Sequence, residues 1–368
     1  MINMKILVTG ANGFIGKNVC VHLKELGHEF LPYDLNSERP LEELVQVCDF
    51  VMHLAGVNRP TSEEEFVSGN VDFTNHLLSL LEETGKKIPV LLSSSIQAER
   101  DNPYGKSKKE AEVAVFRYGE KTGSNVYVYR LENAFGKWCR PNYNSVIATF
   151  CHNIARDLPI DIHDETAEIT FVYIDDIVKG FLSCLNTEGS KDVLHIKPTY
   201  TIAIGEVAKL LSKFKETRKN LSLPDLENGF EKKLYSTYLS YLPEDQFSYL
   251  LNSHKDPRGS FTEFIRTENK GQVSINIQHP GIVKGNHYHH TKNEKFIVVH
   301  GEGVIRFRKL GEETIIEYPI SANKLEVVDI PVGYTHDIIN TGKTDMVTIM
   351  WANEVFDEDN PDTFYEEV

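Results

Sequence analysis

From Lys5 to about Tyr200, short apolar runs alternate with longer stretches in which apolar side chains recur at helical spacing. The runs Lys5–Thr9, Glu29–Tyr33, Asp49–Leu54, Lys87–Ser93 and Asn125–Arg130 predict five strands. Phe14–Leu26, Tyr104–Lys121 and Asn144–Arg156 predict helices, with Gly27 placed to end the first. Strands separated by helices form right-handed βαβ units, so this half predicts an α/β fold: a Rossmann-type, doubly wound parallel sheet. After about Lys255 the pattern changes. Runs at Gln272–Ile277, Phe296–Val299, Gly303–Arg308, Glu326–Ile330 and Met346–Trp351 follow one another with Gly and Pro between them. That succession predicts an all-β sandwich or barrel. The break falls between Tyr241 and Asp256, around Pro243, Asn252 and Ser253, which sets domains of 1–245 and 252–368.

Composition narrows the class. The chain carries 39 Lys and Arg against 54 Asp and Glu, a formal charge of −15. That balance argues against duplex DNA and anionic membranes as partners. It leaves room for a phosphorylated small molecule, which one helix N-terminus or two arginines can bind. The five cysteines are odd in number, lack metal-like spacing and stop at Cys184, as in a reduced, cytoplasmic chain. No apolar run approaches the ~18 residues of a membrane span, and Met1–Thr9 is too short for a secretory signal.

The segment Thr9-Gly-Ala-Asn-Gly-Phe-Ile-Gly16 puts glycines at 10, 13 and 16 between the first strand and the first helix. A pyrophosphate can sit there on bare backbone N–H groups. A ligand-free glycine turn is the plainer reading of the spacing, and the strand-to-helix context favours the cofactor site. Asp34 closes the second strand, where an acidic side chain typically bonds the ribose 2′-OH of NAD and repels a 2′-phosphate. Ser37 and Arg39 follow and can serve a phosphate instead, so the residues leave NADH and NADPH both open. Tyr104-Gly-Lys-Ser-Lys108 places Tyr and Lys on one helix face after the strand-ending Ser93–Ser95. A Tyr lowered in pKa by a neighbouring Lys can deliver a proton near neutral pH, and Ser95 can bond the reacting carbonyl. An amphipathic surface helix is the plainer alternative.

In combination with Asp49, His53-Leu-Ala-Gly56, Asn70 and Arg130-Leu-Glu-Asn133, these residues resemble the extended short-chain dehydrogenase/reductases that act on nucleotide sugars, over about residues 4–240. The resemblance implies Ser95, Tyr104 and Lys108 as the catalytic trio. It implies Gly10, Gly13, Phe14, Ile15, Gly16, Asp34, Arg39, His53, Leu54 and Ala55 around the dinucleotide, and Asn133 against a nucleoside diphosphate sugar, with Arg130 in a structural role.

The second half carries Gly281-x5-His287-x-His289-x4-Glu294-x6-Gly301, then Pro331-x-Gly333-x2-His336-x3-Asn340. Alternate residues of a strand share a face, so His287 and His289 converge, and Glu294 and His336 can complete the set. Three imidazoles and a carboxylate suit Zn, Fe, Mn or Ni; a solvated His cluster is the plainer reading. His290 points the other way, to solvent or behind the ligands. The two-part pattern resembles the cupin signature, a double-stranded β-helix or jelly roll, with Leu325 in place of a turn glycine. Asp256-Pro-Arg258-Gly-Ser-Phe261-x-Glu263 and Lys284–His289 further resemble the cupin epimerases of 4-keto deoxysugar nucleotides. Those generally bind no metal, whereas this chain keeps the full ligand set. The base there stays open among Tyr288, His290, Lys292 and Glu263.

Together with segments 136–150 and 234–243, the fused halves resemble a family of bifunctional capsular polysaccharide enzymes. That resemblance implies a cupin that epimerises C3 of a UDP-2-acetamido-2,6-dideoxy-4-keto-hexose. It implies NADPH-dependent reduction at C4 to UDP-2-acetamido-2,6-dideoxy-talose, on the route to UDP-N-acetyl-L-fucosamine. Zinc in the cupin and a homodimer are implied as well. Removing the C3 proton needs the C4 ketone that hydride delivery destroys, so epimerisation comes first. The alternatives are a single-activity reductase whose cupin is a structural, dimerisation or sugar-binding module, and a cofactor-sensing regulator, against which the intact Ser95, Tyr104 and Lys108 argue.

Overall fold

The computed structural model describes residues 3–251, 253–256, 259–262, 271–354 and 359–368. The chain forms two compact units: Met1–Phe135 with Tyr143–Ser145 and Glu168–Ile202, and Gly136–Asn142 with Val146–Ala167 and Ala203–Val368.

In the first unit five parallel strands, β1 (Lys5–Thr9), β2 (Glu29–Tyr33), β3 (Phe50–His53), β4 (Val90–Ser95) and β5 (Val126–Leu131), lie in the order β2-β1-β3-β4-β5. Burial on both faces explains their unbroken apolar runs, as at Ile6–Val8 and Phe50–Met52. β4 starts three residues later than the pattern predicts, after Pro89, which has no N–H for the ladder. It runs on through Ser95 because Ser93, Ser94 and Ser95 pair with Tyr129, Arg130 and Leu131. Helices Phe14–Glu25 and Pro103–Thr122 match their expected positions to within a residue. Leu41–Val47, Phe73–Glu83 and Ile174–Ser183 add three more. Leu7, Leu44, Val51, Leu77, Leu92 and Val115 share one core. β2 and β3 flank β1 on opposite sides, so the chain's direction across the sheet reverses there, and ligands of open α/β sheets bind at such a reversal. A smaller sheet joins Asn133–Phe135, Glu168–Tyr173 and Thr199–Ala203.

The second unit is built on two five-stranded sheets of antiparallel pairs, a cupin-like arrangement. One orders Gln272–Gln278, Met346–Ala352, Glu294–His300, Glu326–Ile330 and Ser248–Leu250. The other orders Ile315–Ser321, Glu302–Lys309, Tyr334–Asn340, Val283–Tyr288 and Phe364–Tyr365. Phe247, Phe296, Phe307, Val328 and Trp351 are buried in it. Helices Val146–Ala155, Ile204–Asn220 and Gly229–Leu239 belong to this unit too. Buried Asp329 ties the Ile204–Asn220 helix to the sheet, accepting from Lys295 Nζ at 2.6 Å and pairing with Arg218 at 3.4 Å. All five cysteines are free. Among the described residues no helix is long and apolar enough to cross a membrane.

Candidate active site and candidate metal centre

The turn after β1 is shaped by its glycines. Gly10 has φ +70°, and a Cβ there would lie 2.8 Å from the backbone of Ala55. A Cβ on Gly16 would lie 2.1 Å from Gly10 O, so glycine alone lets the helix start against the turn. Phe14 and Ile15 open that helix, and the loop Leu54–Ala55 leaves β3 alongside. The bare cradle fits a dinucleotide pyrophosphate.

The His53 side chain is turned into the fold. It is 1% exposed, with Nδ1 2.7 Å from Thr9 Oγ1 and Nε2 2.9 Å from Thr74 Oγ1. Burial, helped by the Lys108 charge, holds its pKa down to about 3. Thr9 Oγ1 accepts in turn from Ala55 N–H, so His53 braces the loop from behind. The Asp34 carboxylate accepts from Asn12 N–H at 2.8 Å, and Ser37 Oγ accepts from Asp34 N–H at 2.7 Å. Arg39 is exposed and makes no hydrogen bond or ion pair with a described residue.

Ser95, Tyr104 and Lys108 come together at the end of β4. Asn102 caps the helix through Gly105 N–H, and a Cβ on Gly105 would lie 2.2 Å from Gln97 O. The glycine therefore lets the helix dock on the turn that follows Ser95. Lys108 Nζ donates to Ser93 O at 2.8 Å, and burial lowers its pKa to about 8. The expected lowering of Tyr104 is corrected by the structure. Burial pushes the phenol up, offset in part by its hydrogen bond with Ser95. The Lys108 ammonium makes its hydrogen bond to the Ser93 carbonyl.

Three supporting residues lay outside the predicted site. Asn70 accepts from Val57 N–H at 2.8 Å and donates to Ser107 Oγ at 3.0 Å, clamping the 54–57 loop to the Tyr104 helix. The Asn70 match was visible only through the resemblance. The Phe66 ring packs 5.5 Å from that of Tyr104. Glu112 receives Arg130 bidentately at 2.8 and 2.7 Å, and Ser94 at 2.6 Å, so Arg130 is structural. Asn133 is exposed and donates to Thr170 O at 3.0 Å.

In the second unit, ligand atoms of His287, His289, Glu294 and His336 all lie within 4.8 Å of one another. His287 and His336 are direct cross-strand partners. The ladder shifts register between Gly285 and His287, where Asn286 has φ +55°, and this bulge aims His287. Glu294 Oε2 is 3.4 Å from His289 Nε2 and 3.5 Å from His336 Nε2. These three atoms are buried without a hydrogen-bond partner among the described residues. Buried polar atoms are seldom left so, and lone pairs converging on one point fit a divalent cation. Burial and the neighbouring rings of His336 and His289 lower the His287 pKa to about 3. Burial alone would raise Glu294, but the closeness of His289 and His336 favours the ionised form and holds it well below the carboxylate range. The neutral-imidazole, ionised-carboxylate state is the one that ligates.

His290 is buried, not solvent-facing, and shares a ring cluster with Tyr288 and Phe364. Lys292 Nζ donates to Thr363 Oγ1 at 2.9 Å. Glu263, the fourth candidate base, lies outside the described residues.

The sheet with its glycine turn and the Ser–Tyr–Lys cluster define a nucleotide-dependent oxidoreductase architecture. Residues 6–197 match the NAD dependent epimerase/dehydratase family, and the chain belongs to that family. Residues 254–364 match the polysaccharide biosynthesis C-terminal domain. The chain is 50% identical over 364 residues, 98% of each sequence, to the UDP-2-acetamido-2,6-beta-L-arabino-hexul-4-ose reductase of Pseudomonas aeruginosa. It is 52% identical to the capsular polysaccharide assembling protein CapF of Staphylococcus aureus, whose crystal structure matches with a TM-score of 0.68 over 99% of this chain and 100% of that one. A CapF structure with the inhibitor 3-isopropenyl-tropolone matches at 48% identity and a TM-score of 0.63, with coverage of 99% and 100%.

Proposed function

We propose that this chain is a bifunctional enzyme of capsular polysaccharide synthesis. Its 252–368 domain epimerises C3 of a UDP-2-acetamido-2,6-dideoxy-4-keto-hexose. Its 1–245 domain then reduces C4 to a UDP-2-acetamido-2,6-dideoxy-talose, on the route to UDP-N-acetyl-L-fucosamine. The observation that carries the reading is the convergence of Ser95, Tyr104 and Lys108 at the end of β4, in a chain half identical to a UDP-4-keto-sugar reductase.

NADPH, when bound on the glycine turn, supplies the hydride. Ser95 orients the ketone oxygen, and Tyr104 donates its phenolic proton to the oxygen as negative charge develops there. A phenol raised in pKa by burial stays protonated at neutral pH, the form a donor needs. The Lys108 ammonium, titrating near 8, is still charged at pH 7 and favours the phenolate left behind. Asn133 faces the sugar nucleotide. NADPH is favoured over NADH because the Asp34 carboxylate is engaged by the glycine loop, while Arg39 has no partner among the described residues and is available to a 2′-phosphate. His287, His289, Glu294 and His336 hold one zinc, which when bound supplies Lewis acidity toward a ketone. The enzyme works as a cytoplasmic homodimer.

The test is incubation of the protein with the UDP-4-keto sugar in D2O, read by NMR. Deuterium enters C3 without NADPH, and NADPH then gives the C4 alcohol. Tyr104→Phe lowers NADPH oxidation ~1,000-fold and leaves C3 exchange intact. No exchange in the wild type reduces the cupin to a structural or sugar-binding module. Loss of both activities in Tyr104→Phe overturns the two-site reading.

A further inference from the structure

We propose that segment 359–368 is a working part of the metal centre, and that Asp362 is the residue that positions His289. The proposal rests on the metal reading above and adds what holds the ligands in place.

The strand Val283–Tyr288 carries His287 and leads directly into His289. Its outer neighbour in the sheet is Phe364–Tyr365, with His287 opposite Tyr365 and Tyr288 opposite Phe364. Without that neighbour, the ligand-bearing strand is the edge of its sheet, and unpaired edges open most easily. The segment grips both flanks of the strand. Upstream, Glu366 N–H donates to Asn286 O at 2.9 Å, and Val368 N–H to Asn286 Oδ1 at 3.2 Å. Asn286 is the residue in the bulge that aims His287. Downstream, the Asp362 carboxylate accepts from the N–H groups of His290, Thr291 and Lys292 at 2.9, 2.7 and 2.6 Å, and from Thr291 Oγ1 at 3.0 Å. One side chain thus closes the turn that leaves His289.

The same residue reaches the ligand itself. The Asp362 carbonyl oxygen accepts from His289 Nδ1. A carbonyl cannot donate, so Nδ1 carries the proton and Nε2 presents its lone pair toward Glu294 Oε2. Asp362 therefore selects the tautomer through its backbone and fixes the ring's anchor through its carboxylate. Arg308 Nη2 holds the segment from below, donating to Glu366 Oε1 at 3.0 Å. Outer partners of metal-ligating histidines typically contribute 10–100-fold in metal affinity.

The experiment uses the full chain stripped of metal and titrated with Zn(II) in competition with a chromophoric chelator. Wild type takes one zinc per chain; if it takes none, the metal reading itself fails. Asp362→Ala, folded by circular dichroism, raises the dissociation constant about 10–100-fold. Asp362→Asn keeps an acceptor oxygen for the turn and recovers affinity to within about threefold of wild type. Should Asp362→Ala not fold, Asp362→Ser, whose shorter oxygen reaches fewer donors, reads the same constant. A folded Ala or Ser variant within about twofold of a zinc-binding wild type overturns the proposal and leaves the metal reading standing.

Discussion

The two candidate sites use histidine in opposite ways. In the first unit, His53 has both ring nitrogens engaged, by Thr9 and Thr74, and braces a loop. In the second, among the described residues His336 has neither nitrogen hydrogen-bonded, and its Nε2 faces Glu294 Oε2, which also approaches His289 Nε2. The reductase site is a finished hydrogen-bond network: Asn70, Lys108, Arg130 and Glu112 all have partners inside it. It can keep its shape before a cofactor arrives. The candidate metal centre leaves polar atoms of such a network without donors among the described residues, which under the proposed reading an ion completes. The difference teaches where each site stores its specificity, in backbone shape for the first and in unsatisfied lone pairs for the second.

Breaking the candidate metal centre gives the largest effect. His289→Ala leaves three ligands and weakens zinc binding more than ~100-fold, read as zinc per chain after dialysis, while NADPH-dependent reduction at Tyr104 holds when the C3-epimerised 4-keto sugar is supplied. Full zinc occupancy in that variant would remove the contrast between the sites.

Next comes the histidine that is pinned. His53 titrates near 3 in the fold, against 6.5 for an ordinary histidine. Between those values the unfolded chain binds a proton that the folded chain refuses. Stability is therefore unaffected above pH 6.5 and falls as pH drops below it, by up to ~1.4 kcal/mol per unit. His53→Gln removes that dependence. Urea midpoints measured at pH 7 and pH 5 fall further in wild type than in the variant; equal falls would show that His53 is protonated in the fold.

The smallest effect concerns cofactor choice. Arg39→Ala raises the NADPH dissociation constant about tenfold and leaves NADH nearly unchanged, read by fluorescence titration. Wild-type enzyme that uses NADH as well as NADPH would hand the choice to Asp34.

Much of this was legible in the chain. Period-two alternation placed His287 and His289 on one face, and the structure brings them to Glu294 and His336. The interval from Tyr104 to Lys108 set both on one helix face because helical geometry is local. Other parts were hidden. Nothing near Tyr104 in the chain signals how strongly burial raises its pKa, because desolvation depends on atoms that the fold brings in from elsewhere. His290 reads as an alternate, outward position, yet Phe364 from a distant segment covers it.

The two architectures and the identity of the chemical groups follow from the order of residues along the chain. Buried apolar runs between helical stretches suffice for a parallel sheet, and a glycine triplet at a strand-to-helix turn suffices for a cradle, because both follow from backbone sterics within a few residues. Tertiary structure alone decided which polar atoms are satisfied and which are left bare. It set Asp362 on His289 across 73 residues of chain, seated Trp138 where a Cβ on Gly333 would lie 2.9 Å from its Nε1, and let Gly105 rest against the Gln97 carbonyl. Such pairings depend on what packing brings within hydrogen-bond reach, and in each of them the two partners lie well beyond the range over which local propensity acts or are joined only when a turn and a helix dock.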